Sequence, residues 1–562
     1  METKWIVSDV PPVDQITEIS EKAGVCRLVG AILASRKFTA DDAVRFLSKD
    51  MAYIYDPFLL PDMQKAVDRI RLAIEKKENI TVYGDYDADG VTSCSLLVTC
   101  LKDLGAKVDF YIPERETEGY GMSDVAVDII AARGSTLIIT VDCGITAVEE
   151  CLHAKSLGID LIVTDHHECG PTLPDAVAVV DAKRSDSQYP FKELAGVGVA
   201  LKLSQALLEG SMKKQEVIDR FCELVTIGTI ADIAPLVEEN RVVCEIGLAK
   251  LQHTKNLGIR ALIEVSGLTG KAIDSVKVGF VLAPKINAVG RLENASRAIE
   301  LFLTDDWDKA KQIAGELHEY NIQRQEIEAN ILKEAEQMLS KHYSEDKILV
   351  LSSPSWHHGV VGVVASRLTK KYRKPCILIS PGADGHYKGS GRSIEGFSLY
   401  DALAASRDTL VQFGGHELAA GIVIEKNKIQ QFRSKINAYA AEHLPEELMV
   451  PVIRADCELR SRHLNFRIAN ELTRLQPYGT ANPQPVFYIK DMTVHKVYTI
   501  GANHQHLKLK LSKNGVMIDA IAFGFGTDNH ITYNSVISVM CNLEINEFRG
   551  NKELQLRIID IK

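Results

Sequence analysis

Three carboxylates stand at alternate positions in the stretch Asn79–Thr92, NITVYGDYDADGVT: Asp85, Asp87 and Asp89. Carboxylates this close raise each other's pKa unless a cation neutralises them, so the stretch reads as a divalent-metal site. A solvated acidic turn is the plainer alternative. The EF-hand calcium loop is excluded, because its twelfth position requires Glu and is Leu96 here, and an apolar strand rather than a helix precedes the acids. Other candidates follow apolar runs downstream: Asp142 after ITV, Asp165 with His166 and His167 after LIVT, and Asp232 in TIGTIADIAPL. Asp87, Asp89, Asp142, Asp232 and His166 together offer oxygen-rich ligation with one nitrogen. That set suits Mn2+ or Mg2+ better than a structural Zn2+, and it is large enough for two ions. Two ions can activate water and stabilise both oxygens of an in-line displacement at phosphorus.

These residues are far apart in sequence and must be returned to one edge. From Asn79, expected strands ending at Tyr83, Ile112, Val141, Thr164 and Val180 alternate with expected helices at 90–104, 124–132 and 146–157. The alternation predicts an α/β fold with a parallel sheet, whose ligands sit beyond the carboxyl ends of the strands. Around it we expect an N-terminal helical cap (1–75), the sheet domain (76–304), a connector helix (305–343) and a second α/β domain (344–447). The second domain carries two Gly-rich segments read as turns, KGSGRS at 388–393 and FGGHELAAG at 413–421. Beyond them the period changes to strand alternation, and five short strands within 448–562 predict a small closed barrel of the OB type.

Composition narrows the class. Apolar and charged fractions of 46% and 25% are those of an ordinary globular protein. No apolar run is long enough to cross a membrane and the N-terminus lacks the build of a signal peptide, so a cytoplasmic location is expected. The 11 cysteines are scattered without a CxxC pair and read as core residues. The net charge of −10 argues against gripping nucleic acid by bulk electrostatics, but from Pro451 onward 14 Lys and Arg face 10 Asp and Glu.

The series GDYDADG, TVDCGIT, TDHH and TIADIAPL, in this order, resembles the four motifs of the DHH phosphoesterase superfamily, with Asp165-His166-His167 as its naming triplet. GSGRS and FGGHELAAG are similar to the DHHA1 domain that accompanies it. With the OB-like tail, the resemblance covers nearly the whole chain and implies the single-strand-specific 5′ to 3′ DNA exonuclease branch. Carried over by position, it implies two Mn2+ or Mg2+ ions on Asp87, Asp89, Asp142, His166 and Asp232. His167 would act on the scissile phosphate or leaving oxygen, and Asp85 joins the catalytic set behind the ligands. Arg115, Tyr120, Ser390 and Arg392 would meet the DNA end. Gly414, Gly415 and His416 would bring backbone N–H groups to the phosphate chain. A monomer working with a single-strand-binding protein and a DNA helicase is implied. This chain has Tyr83 where many relatives have His, which removes one possible ligand. Superfamily phosphodiesterases of short oligonucleotides or cyclic dinucleotides are the alternative, though they generally lack the N-terminal part and the tail. A metal-free replication scaffold is disfavoured by the intact carboxylates.

Overall fold

A computed structural model describes residues 3–115, 118–119, 121–343, 345–382, 385–526, 530–548 and 550–562. The chain forms two compact units, one of residues 54–235 and 242–450, the other of residues 1–53, 236–241 and 451–562.

The larger unit holds the expected parallel sheet. Its strands run in the order Lys107–Tyr111, Asn79–Gly84, Leu137–Val141, Asp160–Thr164 and Ala178–Val180, all parallel. The central strands are apolar and buried on both faces, as a helix-covered parallel sheet requires. Asp85, Asp142 and Asp165 each immediately follow one of them, so three distant acids share the carboxyl edge.

The helix expected over 305–343 is present, as a 32-residue α-helix, Trp307–Met338, that continues directly into a wider helical turn, Leu339–Tyr343. Glu334 ties it to the second α/β layer, accepting from Ser353 Oγ at 2.9 Å and Trp356 Nε1 at 2.8 Å. That layer is a five-stranded sheet in the order Gln412–Gly415, Ala419–Ile424, Tyr387–Arg392, Cys376–Pro381, Leu349–Ser352.

Here the sequence reading needs correction, because the segments taken as Gly-rich turns are strands. The glycines serve close packing: a Cβ at Gly389 would lie 2.7 Å from Ile422 Cγ1, and one at Gly391 would lie 2.6 Å from Leu399 Cδ2. Only residues 416–418, joining Gln412–Gly415 to Ala419–Ile424, form a turn.

In the smaller unit, strands Phe487–Ile500, His506–Lys513, Val516–Ala522, Asn551–Ile561 and Val536–Phe548 pair in that order. Pairing of the last with the first closes a five-stranded barrel of OB connectivity. Residues 1–75 do not form a separate cap. Helices Val13–Lys22 and Arg27–Ser35 share one core with this barrel, whereas helix Met63–Glu75 belongs to the larger unit.

Candidate active site

The loop after strand Asn79–Gly84 is held from both ends. Asp87 caps helix Ala88–Asp103, its Oδ1 accepting from the backbone N–H groups of Asp89 at 2.8 Å and Gly90 at 3.1 Å. Asn287 Oδ1 accepts from Ala88 N at 2.7 Å. Gly90 is required sterically, since a Cβ there would lie 2.7 Å from the Asp85 Cα.

Asp89 is buried, with Oδ2 accepting from Gly196 N at 2.7 Å and Oδ1 from Val197 N at 2.9 Å, at the start of helix Gly196–Leu207. Two more glycines cradle the acids: a Cβ at Gly196 would lie 2.6 Å from Asp142 Cβ, and one at Gly228 would lie 2.8 Å from Asp89 Oδ1. Asp142 itself takes a left-handed backbone, φ 61°, as does Ile233 beside Asp232, φ 63°. For a β-branched residue such as Ile233 that is a strained conformation, of the kind found at functional sites.

Three overlapping groups of donors result, one of them Asp142, Asp165, His166 and His167. Atoms of Asp85, Asp87 and Asp142 lie within 4.8 Å of one another, and so do those of Asp89, His166 and Asp232. The groups meet where His166 Nε2 lies 3.0 Å from Asp142 Oδ1. That nitrogen is buried and makes no hydrogen bond among the described residues, nor does Asp85 Oδ1. Buried polar atoms left without a hydrogen bond in an acidic cluster have the character of candidate cation ligands.

The electrostatics agree. Burial, then the charge of Asp87, pushes Asp85 up to about 8. Burial, then Asp232 and Asp87, holds Asp89 well above the carboxylate range. Asp142 is raised in the same way by burial and then by Asp89, and Asp232 reaches about 7 through burial and Asp87. Burial and the neighbouring His167 drop His166 to about 3, keeping it neutral as a metal ligand must be. A set of buried carboxylates that cannot all ionise alone, beside a neutral imidazole, fits divalent cations.

His167 is different. Burial lowers its pKa, but the hydrogen bond and charge of Asp165 outweigh that and raise it to about 9. Asp165 is correspondingly held low by His167 despite its burial. Asp165 is thus the residue that orients His167, and its place at the head of the triplet is the sequence signal for it.

A cationic cluster occupies the same unit. Arg115 lies with its guanidinium 4.9 Å over the Tyr86 ring. Arg392 donates to Ser390 Oγ at 3.1 Å, and both approach the glycine helix face at Gly362. Arg291, which no sequence signal marked, is half-buried and donates to Gly359 O at 2.9 Å. Burial and then Arg115 lower its pKa to about 10, and the same causes lower Arg392. Nothing in the sequence NAVGRLEN marks Arg291, apart from Gly290, which lets its helix approach the Tyr86 backbone. Like charges gathered this way make a site for an anion.

Other expectations fare unevenly. Gly414 faces open space, but Gly415 takes φ 137° and a Cβ there would lie 2.5 Å from the Ala420 Cα, so hairpin geometry accounts for it. His416 is exposed in the turn, its N–H donating to Ala419 O at 2.8 Å. Tyr120 lies outside the described residues. Tyr83 is no vacant ligand position, because its ring is buried against the apolar side of the sheet and its hydroxyl donates to Gly121 O at 2.8 Å.

Comparison with known proteins fits this arrangement. Residues 79–229 match the DHH family N-terminal domain, 345–442 the DHHA1 domain and 455–560 the RecJ OB domain. The single-stranded-DNA-specific exonuclease RecJ of Bacillus subtilis is 41% identical over 98% of this chain and 70% of its own length. The chain belongs to the RecJ family. RecJ of Thermus thermophilus, crystallised with Mn2+, superposes with a TM-score of 0.85 at 31% identity, covering 100% of this chain and 79% of that one. Its crystal structure with Mg2+ gives 0.80 at 30% identity, over 100% and 78%. Those RecJ structures were determined with the two ions that the donor set here favours.

Proposed function

We propose that this chain is a metal-dependent exonuclease that removes 5′ mononucleotides from single-stranded DNA. The observation that carries the reading is the pairing, within one unit, of a buried carboxylate and imidazole cluster with the guanidinium groups of Arg115, Arg291 and Arg392. Asp85, Asp87 and Asp142 would hold one Mn2+ or Mg2+, and Asp89, His166 and Asp232 a second. When bound, such ions supply charge neutralisation at the scissile phosphate and a more acidic water.

The residues of the chain do the rest. Arg392, Ser390 and Arg115 take the terminal 5′ phosphate, which sets polarity, because only a 5′ end places its first internucleotide phosphorus over the carboxylates. Asp165 holds His167 by Nδ1, leaving Nε2 to donate a proton to the 3′ oxygen of the terminal nucleotide as the P–O3′ bond breaks. Water provides the new oxygen on phosphorus, so the shortened strand again begins with a 5′ phosphate.

On the barrel, Lys496, Tyr498, Lys508 and Lys510 lie on two adjacent strands, with Lys496 paired to Lys510 and Tyr498 to Lys508. They suit a stacking and electrostatic track for downstream nucleotides. The enzyme would work in the cytoplasm as a monomer, with a single-strand-binding protein and a helicase. Among the described residues no helix is long and apolar enough to cross a membrane. The test uses one strand labelled at either end with Mn2+ present. Early release of labelled mononucleotide only from the 5′-labelled strand is expected, and release from the 3′ label first would overturn the polarity.

A further inference from the structure

A cavity of about 640 Å³ is lined in part by Arg115, one of the residues assigned to the terminal phosphate, and nothing in the reaction described above fills it. Its size falls within the roughly 300–1,000 Å³ range of small-molecule pockets, far more than a phosphate needs. The floor comes from three antiparallel strands. Gln412 pairs with Val423 and Val423 with Lys388; two rows on, past Phe413, Ile422 and Gly389, Gly414 pairs with Gly421 and Gly421 with Ser390. Paired residues and alternate rows share a face, so Gln412, Val423 and Lys388 stand on the same side as Ser390.

Beside Ser390 in that row, Gly414 and Gly421 present bare backbone. A Cβ at Gly414 would meet nothing within 4 Å, and one at Gly421 only Gly389 O at 4.0 Å. These two glycines therefore satisfy no packing need, unlike Gly389 and Gly391 on the same sheet. Across the cavity stand Tyr86 and the Arg115 guanidinium laid over its ring. A flat floor of peptide, an apolar Val423 wall and a guanidinium plane opposite form a slot for a planar aromatic group.

We propose that this slot seats the base of the 5′-terminal nucleotide, with Lys388 and Gln412 as polar contacts at its edge. The assignment builds on the exonuclease reading above and adds the part of the substrate that reading leaves unplaced. Arg115 joins the two halves, since it lines the cavity and lies close enough to Arg392 to lower its pKa.

The test uses two single strands, both 5′-phosphorylated and identical except that the terminal residue carries thymine or no base. The wild-type chain is expected to process the thymine end with a kcat/KM about tenfold higher or more. Gly421→Val puts a side chain on the floor in a strand that accepts it, and should bring that ratio toward one. Lys388→Met gives a second reading of the ratio should the first variant fold poorly, and it should lower the ratio by several-fold. A wild-type ratio near one would overturn the seat while leaving the exonuclease reading intact. A high ratio unchanged in both variants overturns it too, because the base would then sit elsewhere. Failure of the wild-type chain to cut either strand overturns the exonuclease reading and this assignment with it.

Discussion

Asp165 Oδ1 lies 2.7 Å from His167 Nδ1, and the same oxygen accepts the backbone N–H groups of His166 at 2.7 Å and His167 at 3.2 Å. One buried carboxylate thus fixes both the loop bearing a candidate ligand and the ring expected to act on the leaving oxygen. Asp165→Asn keeps the volume but cannot accept on every side. It should lower kcat by about 10- to 100-fold with KM little changed, the usual effect of removing an orienting partner. A wild-type kcat in this variant would remove Asp165 from the mechanism.

The crowding of Asp85, Asp89 and Asp142 predicts a stability response to cations. Mn2+ should raise the Tm of the wild-type chain, because it binds the native cluster and not the unfolded chain. Asp142→Asn is tolerated at φ 61°, since Asn adopts the left-handed region readily. In chelator that variant should melt above wild type, one buried like charge being gone, yet lose most of the Mn2+ increment. Equal increments in both proteins, measured by thermal denaturation, would detach Asp142 from the metal.

Acid stability has a separate source on the outermost strand of the same sheet. Arg184 Nη1 donates to Asp62 Oδ2 at 2.6 Å and to Val179 O at 2.5 Å, tying strand Ala178–Val180 to the start of helix Met63–Glu75. Burial raises the Asp62 pKa, but Lys65 and Arg184 outweigh it and hold the carboxyl below its ordinary value. A depressed folded pKa means the stabilisation is present above the unfolded value of about 3.9 and is lost as pH falls below it. Arg184→Met should therefore lower Tm by a few degrees at pH 7 and by less near pH 3. A pH-independent difference would assign the effect to packing alone.

Much of this site was legible because its residues obey local rules. Asp85, Asp142 and Asp165 each follow an apolar run, so strand periodicity alone brings them to one edge. Arg291 obeys no such rule: it lies on a helix remote in sequence, and only tertiary packing carries it to Gly359. The glycines of 388–393 misled for a related reason. Glycine marks turns through its backbone freedom, but at Gly389 and Gly391 its use is the absence of a side chain against Ile422 and Leu399. Tyr83 shows the limit of transfer by position, since its ring packs in an apolar core and its hydroxyl is taken up by Gly121 O.

Arg392 and Arg291 should separate by substrate. Arg392 donates to Ser390 and is the group proposed for the terminal phosphate, and a charge-assisted hydrogen bond contributes ~1.5–3 kcal/mol. Arg392→Ala should narrow the preference for 5′-phosphate over 5′-hydroxyl ends about tenfold or more. Arg291→Ala should reduce cleavage of both ends, because it also frees the Gly359 carbonyl at the start of helix His358–Tyr372. An unchanged end preference in Arg392→Ala would make its guanidinium structural.

The barrel cannot be removed by itself. Ile19, Val29, Ile32 and Leu33 of the N-terminal helices share a core with Leu475, Val494 and Leu511. Strand Lys4–Val7 pairs in parallel with Val452–Ala455, and Arg36 Nε lies 2.8 Å from Asp456 Oδ1. Ending the chain after Glu447 would expose that apolar face, at ~1.5–3 kcal/mol for each large side chain. Such a protein should bind a hydrophobic dye and aggregate. A chain of residues 54–450, which drops the N-terminal helices together with the barrel, should keep a native circular dichroism spectrum and the Mn2+ response of Tm. With that protein the role of the barrel can be read cleanly. Short strands should be cut nearly as before, while long strands should bind more weakly and with a shallower dependence on salt, fewer phosphates being neutralised. Equal affinity and equal salt slopes for long strands would rule out the barrel as a DNA track and leave it as a docking module for a partner.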